Sequence, residues 1–215
     1  QVRDSKGNHM TLGVELKVDQ ATLKELENTL RHIPKGAPKA LSRSINKGLT
    51  GGRTEMVKAT REILNVKAKK VRDQIKIKKA SVSRLSGIMT SKGQPLNLIN
   101  FGARQTKKGV SVQVLKKNPR ETIPHAWIGT GEHNNRLVFM RQRTPENAPY
   151  IFTKKVRPGV KYGALPDKYR LPMESKTGPR LQDIEGRDEV MGRVQDEASS
   201  RLMNEMNRQI DLLLG

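Results

Sequence analysis

The fold is organised around one run of fifteen residues, Asn100-Phe101-Gly102-Ala103-Arg104-Gln105-Thr106-Lys107-Lys108-Gly109-Val110-Ser111-Val112-Gln113-Val114. In its last part three valines alternate with Ser111 and Gln113, which is the period-two pattern of a strand with one buried face. The polar, basic stretch before it is bounded by Gly102 and Gly109 and predicts the tip of a hairpin. We therefore expect a second strand just upstream, at Leu96 to Phe101.

Two more strands are predicted downstream of this hairpin. The segment Thr122 to Thr130 carries Ile123, Trp127 and Ile128, and the apolar run Leu137 to Met140 follows a polar turn. This region contains the only Trp and two of the three Phe residues, so it is where a small core can be built. The sequence therefore predicts an antiparallel meander.

The composition fits one domain of ordinary size with extensions, or two small domains. Only 34% of the 215 residues are hydrophobic and 3% are aromatic, so the core is modest for this length. We expect much of the chain to bury surface against partners instead. No run approaches the ~20 apolar residues that span a bilayer, and the start of the sequence lacks the apolar core of a signal peptide. These features predict a soluble protein without membrane contact.

The formal net charge of +21 is unevenly distributed along the chain. Residues 34–80 carry fourteen basic and three acidic side chains and residues 81–180 carry nineteen and five, whereas residues 181–215 carry four and eight. A basic middle of this kind attracts phosphate backbones. Such lysines also keep a weakly apolar surface soluble, or pair with acidic faces of neighbouring subunits. Composition leaves these alternatives open.

The residues that carry chemistry form no catalytic or metal-binding pattern. There is no cysteine, and the histidines at 9, 32, 125 and 133 lack the spacing of a metal site. Acidic residues flank His125 and His133, but no nucleophile accompanies them. P-loop, nucleophile-elbow and Rossmann glycine patterns are absent. We therefore predict no catalytic residue, no metal and no cofactor.

The N-terminal part of the sequence predicts an extension followed by a short helix. We assign residues 1–18 to an N-terminal extension, in which Gln1 to Thr11 has no predicted role in the fold and Met10 is a candidate natural start. Asp19 is expected to cap the first helix, and Pro34 to end it. Its apolar side is formed by Leu23, Leu26, Leu30 and Ile33.

A second, longer helix is predicted from Pro38, because proline is harmless in the first turn. Gly51 and Gly52 interrupt its apolar line and indicate either a bend or a close contact with another helix. On its opposite side, basic residues spaced by four form a basic ridge of Lys39, Arg43 and Lys47. Like charges at this spacing destabilise an isolated helix slightly. The ridge is a candidate contact with an acidic surface or DNA, with a solvated face as the alternative.

Short elements are predicted between this helix and the hairpin. Asn65 is expected to cap a helix over Lys67 to Ile75. Strands are predicted at Lys76 to Lys78 and at Arg84 to Thr90. The stretch Lys67 to Lys79 contains seven Lys and Arg residues and one acid, so this part of the surface is strongly basic.

The C-terminal part predicts an arm and a long helix. Prolines recur through residues 143–180 and forbid a long helix there, so we expect an extended proline-rich arm with an edge strand at Tyr150 to Phe152. Residues 181–215 predict one helix of roughly 40 to 45 Å. Its apolar stripe is longer than a small core can cover. The predicted oligomer interface on this stripe consists of Leu202, Met206, Ile210 and Leu213.

Four segments of the chain resemble the phage minor tail protein Z family, the tail-completion or neck proteins of long-tailed phages and prophages. They are Lys39-Ala40-Leu41-Ser42-Arg43-Ser44-Ile45-Asn46-Lys47-Gly48-Leu49, Asn65-Val66-Lys67-Ala68-Lys69-Lys70-Val71-Arg72, the run from Asn100 to Val112, and Arg170-Leu171-Pro172-Met173 with Thr177-Gly178-Pro179. The most specific of them is the block Phe-Gly-Ala-Arg-Gln-Thr-Lys-Lys-Gly. The similarity covers roughly residues 35 to 180, and Pro145 to Asp167 has no counterpart.

This resemblance implies a structural virion protein at the head-proximal end of the tail, which it completes for head–tail joining and DNA passage. It also implies a homo-oligomeric ring, six-fold by analogy with other neck components. The implied partners are other neck, tail terminator and tail tube proteins, together with non-specific contact with genomic DNA. Assembly would take place in the host cytoplasm. No catalytic residue carries over, so no enzymatic activity is expected.

The sequence thus predicts an α+β protein. A core domain at residues 19–142 holds a small antiparallel sheet flanked by N-terminal helices, and the arm and the long C-terminal helix follow it. Arg104, Lys107 and Lys108 at the hairpin tip join the basic ridge as candidate contacts with DNA or with an acidic neighbour. The alternative function is a basic nucleic-acid-binding protein, which the charge favours and the scarcity of aromatic residues disfavours.

Overall fold

The computed structural model describes residues 2–3, 10–17, 20–33, 36–131, 133–142 and 172–214. The helices are Gln20–Thr29 (α1), Gly36–Ile63 (α2), Ala68–Gln74 (α3), Leu181–Glu185 (α4) and Asp188–Leu214 (α5), with a 3-10 helix at Leu98–Phe101. The strands are Val2–Arg3 (β1), Met10–Lys17 (β2), Ile75–Lys78 (β3), Ser86–Ser91 (β4), Arg104–Thr106 (β5), Gly109–Val112 (β6), Glu121–Pro124 (β7), Trp127–Thr130 (β8), Arg136–Arg141 (β9) and Met173–Ser175 (β10). The predicted α+β class is confirmed.

The described residues fall into two compact units. The first comprises those within Gln1–Ile63, Lys67–Gln94 and Arg180–Gly215, and the second those within Leu64–Val66 and Pro95–Pro179. The division into a core domain, an arm and a C-terminal helix stays a prediction; in the described residues α5 packs along α2 within the first unit. The predicted strand at Tyr150 to Phe152 and most of the arm lie outside the described residues.

Helices α2 and α5 form the centre of the first unit. Leu41, Ile45 and Leu49 of α2 are fully buried. The two helices approach closely because glycines of α2 face α5: a Cβ atom on Gly48 would lie 2.7 Å from the Ala198 carbonyl oxygen. Cβ atoms on Gly51 and Gly52 would likewise meet side chains of α5. The prediction of a close helix contact at this glycine pair is confirmed.

Helix α1 covers the far end of the α2–α5 pair. Leu26 of α1 and Leu30, directly after it, form a buried cluster with α2 and with Met206 of α5, and Ile210 and Leu213 pack against this cluster. Leu202 is half-buried. The expectation that this stripe lies beyond the chain's own core is therefore wrong, because α1 and α2 supply the cover. A role for the stripe as an oligomer interface stays a prediction.

A four-stranded antiparallel sheet completes the first unit, with strand order β1-β2-β4-β3. The predicted strands at β3 and β4 are confirmed. The expectation that Gln1 to Thr11 has no role in the fold is wrong for Met10 and Thr11, which pair with β1, and β2 continues as an unpredicted strand that pairs with β4 from Leu12 to Lys17. Leu12 and Val14 are buried whereas Gly13 and Glu15 are exposed, so the period-two signal of a strand is present in this short segment.

Two helix boundaries differ from the predicted ones. The N-cap residue of α3 is Lys67 and not the predicted Asn65, whose backbone N–H donates to the Val114 carbonyl at 2.9 Å. The predicted single C-terminal helix is interrupted at Gly186. The Gly186 N–H closes α4 on the Gln182 carbonyl at 2.9 Å, and α5 then begins as a separate helix.

The second unit contains two three-stranded antiparallel sheets, β5-β6-β7 and β10-β9-β8, instead of one meander. The segment Thr122 to Thr130 divides because His125 has a φ of 61°, which ends β7 and directs β8 to the other sheet. The predicted strand at Leu96 to Phe101 is a 3-10 helix. The Asn97 side chain accepts the Ile99 N–H at 3.0 Å and so caps this turn.

Candidate functional site: a basic pocket beside the hairpin

Strands β5 and β6 form the predicted hairpin, and Lys107 and Lys108 are its two-residue turn, since Thr106 pairs with Gly109. Gly109 has a φ of 152°, and a Cβ atom there would lie 2.0 Å from the Ile123 carbonyl oxygen. A residue other than glycine would therefore push β6 away from β7. The tight pairing of β6 with β7 brings the turn close to the end of β7.

The side chain of Gln105 connects the hairpin to the neighbouring sheet. Its Nε2 donates to the Gly109 carbonyl at 3.1 Å, and its Oε1 accepts the Ile128 N–H at 2.8 Å. Because Ile128 belongs to β8, this one amide holds the two sheets of the second unit side by side. The His125 N–H donates to the Lys108 carbonyl at 3.3 Å and fixes the turn from the other side.

A concave surface results between the hairpin turn and β8, with a volume of about 400 Å³. We call it the basic pocket. It is lined by Gln105, Thr106, Lys107, Lys108, Gly109, His125, Ala126, Trp127 and Arg141. None of these residues is acidic. The described lining of this open concavity therefore carries positive charge.

Trp127 and Arg141 form the wall of the basic pocket on the β8–β9 side. The guanidinium carbon of Arg141 lies 4.8 Å from the centroid of the Trp127 ring, which is a cation–π arrangement. Phe139 stacks with the same ring at a centroid distance of 6.1 Å and an interplanar angle of 30°. These ring contacts orient the guanidinium of Arg141 within the pocket wall.

Lys107, Lys108 and Arg141 bring ammonium and guanidinium groups to the basic pocket, and His125 adds an imidazole ring. The lining residues that the structure describes include no carboxylate. Within the described part of the chain, no group of three or more His, Asp or Glu side chains is placed to hold a metal ion.

Only two of the three predicted hairpin residues line the basic pocket. Lys107 and Lys108 lie in the basic pocket, whereas Arg104 is exposed on β5 and does not line it. Trp127, Arg141 and His125 complete the pocket and were not predicted as site residues. The sequence contains no local signal for them, because they reach the pocket through the pairing of β8 with β9 and the left-handed turn at His125.

The predicted basic ridge lies in the first unit, on the exposed side of α2. Arg43 donates from Nη1 to the Gln209 Oε1 atom of α5 at 2.9 Å. Lys47 lines a groove with residues of α5, among them Glu205. The hydrogen bond from Arg208 is the main cause that lowers the pKa of Glu205 to about 2, and the charge of Lys47 contributes least. Both of these ridge residues thus have contacts with α5 of the same chain. The ridge belongs to the first unit and the hairpin residues to the second.

Ion pairs with the base on α5 and the acids on α2 also connect the two helices. Arg193 of α5 donates to Glu62 from Nη1 at 2.7 Å, and it also bonds to Glu55. These hydrogen bonds, the one to Glu62 first, raise the pKa of Arg193 above its ordinary value. The ion pairs of Arg193 with Glu55 and Glu62 thus hold α5 against α2.

A second cationic surface lies on α3 and β3 in the first unit. Its members are exposed and have no acidic partner among the described residues: Lys67, Lys69, Lys70, Arg72, Lys76, Lys78 and Lys79. Strand β3 is an edge of the four-stranded sheet. Lysines on an edge strand protect it from pairing with other chains, so these charges have a structural explanation without a ligand.

Comparisons with known proteins add no relative, since no family model, no curated protein and no solved structure matches the chain. The resemblance to the phage tail proteins therefore rests on the four quoted segments. None of the described helices is long and apolar enough to cross a membrane.

Proposed function

We propose that this chain is a structural, non-enzymatic subunit of a phage neck or tail. In this role it completes the head-proximal end of the tail, so that the tail joins the head and DNA passes through. It acts as a closed homo-oligomeric ring, six-fold by analogy. Its neighbours are other neck, tail terminator and tail tube proteins, and it is assembled in the host cytoplasm into the virion.

The observation that carries this proposal is that three of the four resembling segments meet at one residue, Phe101. Its ring is fully buried, and a Cβ atom on Gly178 would lie 2.6 Å from its Cε2 atom. The Phe101 carbonyl accepts a hydrogen bond of 3.4 Å from Asn65 Nδ2. Asn65, Phe101 and Gly178 each come from a different segment. Separate stretches that pack together support a shared structural unit better than isolated matches do.

The exposed end of the same unit supports a role in assembly. Lys107 and Lys108 project from a short, well-fixed turn, and neither forms an ion pair among the described residues. Charged groups on a rigid hairpin guide the register of subunit contacts more than they supply affinity. An acidic surface on a neighbouring subunit is a suitable partner for such a turn.

The second candidate function is that of a nucleic-acid-binding protein. The basic pocket favours it, because its described lining places Lys107, Lys108 and Arg141 beside the Trp127 ring. The two candidates differ in what the positive surface contacts. They are not exclusive, since a neck subunit surrounds DNA.

The experiment for the proposed function is deletion of the coding sequence from the phage or prophage that carries it. We expect lysates with filled heads and separate tails, as seen by negative-stain electron microscopy, and restoration of joined particles when the wild-type chain is supplied from a plasmid. Joined, infectious particles in normal number from the deletion strain would refute the proposal.

A further inference from the structure

A polar cluster is buried where α4 packs onto the rest of the first unit. Gln182 and Glu185 of α4 are inaccessible to solvent, and Ser91 of β4 is 1% exposed. The Gln182 Nε2 atom donates to Ser91 Oγ at 3.1 Å and to Gln74 Oε1 of α3 at 3.1 Å. Both N–H groups of this amide are therefore occupied.

The cluster contains more acceptor atoms than donors. Gln182 Oε1 and both carboxyl oxygens of Glu185 accept no hydrogen bond of ordinary geometry from a described group. The hydroxyl hydrogen of Ser91 is the one side-chain donor of these three residues that is not already used. A proton on Glu185 turns one of the three acceptors into an O–H donor. The neutral carboxyl therefore suits this site better than the carboxylate.

The described elements packed against α4 supply no charge that compensates an ionised Glu185. Strand β4 contains no charged residue. Ion pairs within β2 and between α2 and α5 occupy other charged groups, namely Glu15–Lys17, Glu55–Arg193 and Glu62–Arg193. The charged residues of α3 and of the first turn of α5 are exposed, namely Lys69, Lys70, Arg72, Asp73, Asp188 and Glu189. Burial therefore dominates and raises the pKa of Glu185 to about 7, with Ser91 opposing the shift.

Helix α4 is bounded so that it can move without α5. It has five residues, begins shortly after Pro179 and has no side-chain cap at Arg180. At its other end the Gly186 N–H closes it on the Gln182 carbonyl, and α5 is a separate helix. Of its four buried side chains only Leu181 and Ile184 are apolar. The attachment of α4 therefore depends strongly on its two buried polar side chains.

We propose that Glu185 is a pH-sensitive switch for the attachment of α4. The neutral carboxyl holds α4 on the first unit, and ionisation favours a locally opened state in which α4 leaves the surface while α2 and α5 stay folded. In the opened state the carboxylate reaches water, which removes the cost of burying a charge. Leu181 and Ile184 become exposed in the same step, so pH sets how much apolar surface the first unit presents. This inference does not depend on the proposed neck function.

The direction of the effect follows from the pKa of the carboxyl in the two states. In the opened state it is the ordinary 4.5, and in the attached state it is about 7. Attachment is therefore strongest below the lower value. It weakens by about tenfold per pH unit as the pH rises from there towards the higher value, because opening then releases one proton.

The experiment measures amide hydrogen exchange of the full-length protein by mass spectrometry, corrected for the intrinsic pH dependence of exchange. In the wild type the protection of residues 181–186 should fall about tenfold per unit between about pH 5 and about pH 7. Glu185→Gln has a neutral side chain with its own N–H donors, so its protection should stay nearly constant over this range. The matched control is Asp183→Asn, which removes an exposed carboxyl from the same helix and should keep the wild-type pH dependence. Far-ultraviolet circular dichroism checks that all three proteins are folded.

A low concentration of urea separates local opening from unfolding of the whole unit. Local opening exposes little surface, so urea should leave the protection of residues 181–186 almost unchanged. Three results would overturn the inference. The first is protection of these residues in the wild type that does not change with pH. The second is loss of the pH dependence in Asp183→Asn as well as in Glu185→Gln. The third is a fall of protection with urea as steep as that of the buried residues of α2, which would mean that α4 opens only when the unit unfolds.

Discussion

At the scale of single residues, Glu185 stands out among the described residues because its ionisable side chain is fully buried. It ends α4, and neither of its carboxyl oxygens accepts a hydrogen bond of ordinary geometry from a described group. Burial raises the pKa of this carboxyl to about 7, and the Ser91 hydroxyl offsets the shift only in part. Ser91 Oγ itself accepts a hydrogen bond of 3.1 Å from Gln182 Nε2. Ionisation of Glu185 therefore opposes folding.

The substitution Glu185→Gln is expected to change the pH dependence of stability. In the unfolded chain the carboxyl ionises near its ordinary pKa of 4.5, whereas the folded chain holds the proton up to about 7. Relative to the variant, the free energy of unfolding of the wild type therefore falls as pH rises through this window, by on the order of 3 kcal/mol. Urea unfolding of both proteins at about pH 5 and about pH 8 measures the difference. If the difference in the free energy of unfolding between wild type and variant is the same at both pH values, burial of an ionisable Glu185 does not explain the pH dependence.

The hairpin shows which residues of the site the sequence can predict. Lys107 and Lys108 are predictable, because a polar pair between two strand-forming stretches marks a turn locally. Trp127 and Arg141 are not, since they share a wall only because Trp127 pairs with Phe139, two positions before Arg141 on β9. Register between strands is a non-local property, and the period-two pattern does not fix it.

At the scale of elements, the contact between α2 and α5 decides the stability of the first unit. A Cβ atom on Gly48 would meet the Ala198 carbonyl oxygen at 2.7 Å and the Leu202 Cβ atom at 3.1 Å. The first of these is backbone and cannot rotate away. Close packing of helices through small residues thus replaces the large apolar side chains that the composition lacks.

Gly48→Ala is expected to destabilise the protein although alanine is the better helix former. Alanine gains about 1 kcal/mol of helix propensity over glycine, but overpacking a close contact costs about 1 to 3 kcal/mol. We expect a lower midpoint in thermal unfolding. The matched control is Gly192→Ala on α5, where a Cβ atom would meet nothing within 4 Å. This control should stabilise by up to about 1 kcal/mol. If both variants raise the midpoint of thermal unfolding, a side chain at position 48 does not overpack the contact between α2 and α5.

The elements were predictable where their signal is long and local. Helices α1, α2 and α5 follow from apolar spacing over many residues, and Gly51 and Gly52 indicate the close contact in advance. The short strand β2 was missed because Leu12 and Val14 alternate over too few residues beside a polar segment. The break at Gly186 was missed because one glycine is tolerated within a helical pattern.

At the scale of the whole molecule, the formal net charge is +21. Among the described residues, the ion pairs that connect distant parts of the chain are those of Arg193 on α5 with Glu55 and Glu62. The described lysines of the hairpin turn and of α3 and β3 have no acidic partner among the described residues. A positive surface of this kind attracts polyanions, which agrees with the proposed place of the chain beside DNA.

The central claim is that this chain is a ring-forming subunit at the junction of head and tail, and its location in the particle tests that claim most directly. The measurement is cryo-electron microscopy of virions purified from the phage or prophage that encodes the chain, with the two units fitted separately into the density. The account predicts a closed ring of copies at the head-proximal end of the tail, six-fold by analogy, around the DNA channel. Particles that contain no density for the chain, or that carry it only at the distal tip of the tail, would contradict it.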